Sequence, residues 1–201
     1  MKLFDRVNIG LIFRKHIETF YDYGQANSTG VRKATMADIT TFVYFPISFS
    51  TIIVLLGIKL TNDYINIIIT ALSIFVGLLL NLLVLIFDLA KKQKEKIASL
   101  NQQGEIIPQI EAAKYAIIKE LYANISFSIA LSIFAIITSI LPTLRPQIII
   151  DILKSNLNFS LLKSVYLAIT NVAAITLVVE FLLVLLMILK RFFLIFKNEI
   201  D

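Results

Sequence analysis

Glu180 is the one acid set well inside an apolar run, AAITLVVEFLLVLLMILK (173–190). Lys190 closes that run, so the carboxyl sits ~15 Å from its charged end at ~1.5 Å per residue. A carboxylate near a bilayer centre is costly to ionise. Such a group either moves protons or ions and lines a pore, or stays neutral and fixes helix register through a hydrogen bond. Asn81 precedes the boundary residue Asp88 by ~10 Å, which gives it comparable depth and makes it the expected bonding partner. Asp88 itself lies beside Lys91 and Lys92. It is either a ring of charge at a pore mouth or an interfacial acid satisfied by those lysines.

Other chemistry is sparse. His16 is the only histidine, between Lys15 and Glu18, where a surface role is expected. There is no cysteine, so disulfides and thiol chemistry are excluded, and a structural zinc site is not expected. No nucleophile–base pair, metal-ligand cluster or phosphate loop is visible; Gly24 and Gly30 sit in GQANSTG without a preceding strand. The expectation is a protein that is not an enzyme and needs no cofactor.

The elements that must hold these residues are membrane helices. The chain of 201 residues is 58% hydrophobic, against ~45–50% for a soluble domain, and its apolar residues come in blocks. The expected fold is all-α, an integral membrane four-helix bundle with cytosolic helical extensions. Spans are expected near 39–60, 64–88, 121–141 and 164–189, after an N-terminal arm of residues 1–37. In the second span Asn66, Thr70, Ser73, Gly77, Asn81 and Asp88 share one helical face. That polar seam faces either neighbouring helices or a pore, and packing within the bundle is expected. In the third span Asn124, Ser128, Ser132, Ala135 and Ser139 form a stripe that lets backbones approach closely. In the fourth, Thr170, Ala173, Leu177 and Glu180 share a face, and Asn171 points to a different neighbour.

The connections are readable too. Pro46 is expected to kink the first span, with Ser48, Ser50 and Thr51 bonding the freed carbonyls. A very short turn at 59–63 makes spans one and two a hairpin. Residues 89–120 continue span two, break near Gly104 and restart at Pro108, which gives a cytosolic helical hairpin. Its Lys91, Lys92, Lys94 and Lys96 are expected to touch a partner or anionic lipid, not nucleic acid. The arm reads as an amphipathic helix of about 3–22, lying in the membrane interface or packed on the bundle. Residues 143–163 read as an interfacial segment, and no cleavable signal peptide is expected. Fifteen of the lysines and arginines fall in the arm, the 89–120 loop and the C-terminal tail, against four elsewhere. That bias puts both termini and the hairpin in the cytoplasm.

Asp38-Ile-Thr-Thr-Phe, Phe45-Pro46-Ile47 and SIFVGLLLNLLVLIFDLAKK (Ser73–Lys92) resemble the small four-helix membrane proteins of bacterial antiphage defence islands. The first choice is the KwaA family, the membrane subunits of Kiwa systems; the membrane accessory proteins of type VI-B CRISPR loci compete. The resemblance implies a homo-oligomer in the bacterial inner membrane that detects phage attack and works with a cytosolic, DNA-binding effector of the KwaB kind. A pore that depolarises the membrane and a small ion-coupled transporter are the alternatives. The lack of an internal repeat counts against the transporter.

Overall fold

A computed structural model describes residues 9–20, 36–104, 108–143 and 159–200. It is all-α, with no strand among the described residues. The helices are α1 (Ile9–Ile17), α2 (Met36–Ile39), α3 (Phe45–Leu55), α4 (Asn62–Gln102), α5 (Gln109–Ile140) and α6 (Phe159–Ile200). Four segments are long and apolar enough to cross a membrane: Met36–Leu55, Asn62–Gln102, Gln109–Thr143 and Lys163–Ile195.

Local chemistry sets the element ends. Pro46 cannot donate to the carbonyl four residues before it. The backbone ahead of it widens into a π-helical turn, Thr40–Tyr44, with the Phe45 N–H reaching the Thr40 carbonyl. This is the kink. Contrary to the expectation that they would take up carbonyls freed by the proline, Ser50 and Thr51 donate to Pro46 and Ile47, one turn before each. α3 ends at Leu55, earlier than the expected Leu60, in a Schellman motif. Gly57 (φ 82°) donates to Val54, and Ile58 donates to Ile53. Thr61 then caps α4 by accepting the Tyr64 N–H at 3.5 Å. Gly104 (φ 73°) closes α4 in the same left-handed way, donating to Asn101, and α5 opens directly after Pro108.

The chain divides into two compact units. The first joins Met1–Asp38, Val76–Ala130 and Leu183–Asp201; the second joins Ile39–Phe75 and Leu131–Leu182. In the first unit the core is Leu79, Ile86, Ile117, Ile118, Leu121, Ile125, Val184 and Ile188. In the second it is Ile65, Leu72, Leu131, Ala135, Ala174 and Phe181, with Phe75 edge-on to Phe181. The buried positions of α4 are Ile65, Leu72, Leu79, Ile86 and Gln93, one every seven residues. That is the seam spacing of coiled-coil packing. Asn171 is buried and faces the turn after α3, where its Oδ1 accepts the Leu60 N–H at 3.4 Å. Of the expected interfacial segment at 143–163, residues 144–158 lie outside the described residues, as do Leu3, Phe4 and Val7 of the arm, while 159–163 form the start of α6.

Candidate functional site: a polar knot and an outward seam

In the first unit, α1 docks on α5 and α6 through polar groups. His16 is 2% exposed, a correction to the expected surface role. Its ring stacks on Phe127 at 3.8 Å and 9°, with Phe20 edge-on at 4.9 Å. Its Nδ1 lies 2.9 Å from Asn124 Oδ1. Thr19 Oγ1 is 2.8 Å from the same oxygen and 2.6 Å from the His16 carbonyl. With Oδ1 as the shared acceptor, Nδ1 carries the ring hydrogen. Asn124 Nδ2 is then a buried donor with no partner among the described residues. Burial pushes the His16 pKa down to about 4; the Asn124 hydrogen bond opposes this, and nearby Arg191 adds to it.

Arg191 ties the third element in. α6 runs on through it, past the Lys190 that closes the apolar run, and the residue is 5% exposed. Its Nη2 donates to the Thr19 carbonyl, and its Nε lies 3.4 Å from Glu120 Oε2. Three helices thus meet at one cluster. No sequence signal marks it, because Asn124 lies 108 residues from His16 and Arg191 lies 172 from Thr19.

The expected site residues divide sharply. On α5, Asn124, Ser128, Ser132, Ala135 and Ser139 are all fully buried, the packing stripe expected of them. On α4, Asn66, Thr70, Ser73, Gly77, Asn81 and Asp88 are all exposed. An added Cβ at Gly77 would meet nothing within 4 Å. The α4 seam is therefore turned away from the chain's own packing, which corrects the expected direction. At 100° per residue the seam lies roughly 100–200° around the helix from the buried ridge. Glu180 is half-buried, while its expected partner Asn81 is exposed and belongs to the other unit. Thr176 Oγ1, one turn before Glu180, is buried without a hydrogen-bond partner among the described residues.

The hairpin lysines also divide. Lys96 is committed to Glu111 at 2.5 Å. Glu111 also accepts from Gln93, which is 7% exposed. Lys91, Lys92 and Lys94 remain exposed. Among the described residues, no group of three or more histidines, cysteines or acids is placed to hold a metal ion. No family model, no curated protein and no solved structure matches the chain.

Proposed function

We propose that this chain is a self-associating membrane subunit that relays events in the bilayer to a cytosolic protein. The outward seam of α4 carries the proposal. Asn66 and Asn81 present amides on a helix whose outward residues include Ile67, Ile74, Leu78, Val84 and Leu85. Lipid offers such amides no partners, whereas the same face of a second copy offers donors and acceptors. Gly77 and Ser73 leave room for close approach. The lysine count supports a cytoplasmic position for the clasped hairpin, with Lys91, Lys92 and Lys94 available to a partner. The resemblance to Kiwa membrane subunits supports antiphage sensing at the inner membrane, with a DNA-binding effector as that partner.

The chain has no cysteine, so single introduced cysteines test the association cleanly. Ser73→Cys, Gly77→Cys and Asn81→Cys are expected to give disulfide-linked dimers in native membranes, while Leu72→Cys and Leu79→Cys are not. Absence of links from all three seam positions refutes the interface. Pull-down from the same membranes tests for the effector.

The same exposed seam favours a second reading, an oligomeric pore that it lines. Planar-bilayer recordings decide between the two. Conductance that changes with Asn81→Leu while dimers persist supports the pore, and silence under every activating condition removes it.

A further inference from the structure

A groove of about 770 Å³ runs between α1 and α5 in the first unit. That size falls within the ~300–1,000 Å³ range of ligand pockets. One end is charged, with Lys15, Glu18, Lys119 and Glu120; the other carries Leu11, Ile12, Tyr122 and Ala123. The contacts of α1 give its direction. Phe13 meets Phe127, and Thr19 meets Asn124, so α1 runs opposite to α5. Glu120 is the last charge on α5, ahead of the uncharged run 121–140. The charged end therefore sits at the membrane boundary and the apolar end lies deeper. This is the polarity of a lipid in the leaflet.

The charges select the head group. Lys15 holds Glu18 at 2.7 Å, and Glu120 faces Arg191. Lys119 instead lies over the Tyr115 ring, 4.6 Å from its centroid, and is exposed. Its ammonium donates to an incoming oxyanion without breaking an ion pair with Glu18 or Glu120. A phosphodiester fits that position as an anion with strong acceptor oxygens. On α1, Ile9, Leu11, Phe13 and Ile17 are 40–53% exposed, an apolar surface at the mouth of the groove.

We propose that this groove binds one phospholipid, its phosphodiester on Lys119 and an acyl chain between Leu11 and Tyr122. The lipid forms part of the seat of α1, so its occupancy and the position of α1 are linked. Both partners of that linkage stand whether or not copies associate through α4.

Native mass spectrometry of the full chain, delipidated in detergent and titrated with phosphatidylethanolamine or phosphatidylglycerol, tests this. One tightly bound phospholipid is expected. Lys119→Glu is expected to weaken binding about tenfold with helicity unchanged, and Ala123→Trp to abolish it by filling the groove. Preference for phosphatidylglycerol assigns an anionic head group, and equal binding assigns recognition to the phosphodiester alone. Unaltered lipid binding by Lys119→Glu overturns the site. So does displacement of the lipid at equal concentration by a phosphate-free detergent of the same chain length.

Discussion

At the scale of residues, His16 governs how α1 is held. A ring stacked on Phe127 and closed off from water favours the neutral form. Its folded pKa, about 4, lies below the ordinary value of 6.5, so the undocked state takes up a proton first as pH falls. The docking contribution is therefore complete above pH ~6.5 and is lost progressively down to ~4, with about 3 kcal/mol at stake. Hydrogen exchange over residues 9–19 checks this: protection is expected to be constant from pH 8 to 7 and to fall on acidification. Asn124→Asp reverses the sign. A carboxylate there removes the unpartnered Nδ2 and favours the imidazolium, so α1 is expected to stay protected at pH 5. Glu18 carries no comparable weight, because it is solvent-exposed and its carboxyl is held below the usual range mainly by its hydrogen bond to Lys15.

At the scale of elements, a clasp joins α4 to α5. Glu111 accepts from Gln93 and pairs with Lys96. Glu111→Ala removes the side-chain acceptor of Gln93 Nε2 but keeps the main-chain one 3.3 Å away, and is expected to cost about 1 kcal/mol, read as faster exchange on both sides of the hairpin. Lys96→Ala, at a side chain 56% exposed, is expected to cost at most about 1 kcal/mol. The hairpin was legible in the sequence because Gly104 and Pro108 act locally: one takes a left-handed C-cap and the other lacks an N–H. α3 ends before the expected Leu60 because Gly57 takes a left-handed C-cap, a local backbone effect that hydropathy does not register. The knot of His16, Thr19, Asn124 and Arg191 was not legible at all. Each residue looks ordinary in its own helix, and only the packing of three helices brings them together.

At the scale of the whole molecule, two stripes with nearly the same spacing have opposite fates. The α5 stripe is sealed inside the fold, and the α4 seam is turned outward. Periodicity shows that residues share a face but carries no information about which way that face points. What separates the two is the competing ridge on α4, Ile65, Leu72, Leu79 and Ile86, which fills the interior and leaves the seam outside. Two glycines turn this into a measurement. Gly57→Ala is expected to destabilise the fold by about 1–2 kcal/mol, since its φ of 82° strains any L side chain although the site has open space. Gly77 is mid-helix with nothing within 4 Å, so Gly77→Ala is expected to stabilise the isolated subunit by up to about 1 kcal/mol. If copies meet along the seam, the same methyl group holds their backbones apart, and Gly77→Leu more so. Thermal unfolding and oligomer distribution, measured on the same preparations, are then expected to move in opposite directions: a firmer subunit and a weaker assembly. Parallel movement of the two, or an assembly indifferent to Gly77→Leu, assigns the α4 seam to water or lipid instead of a second copy.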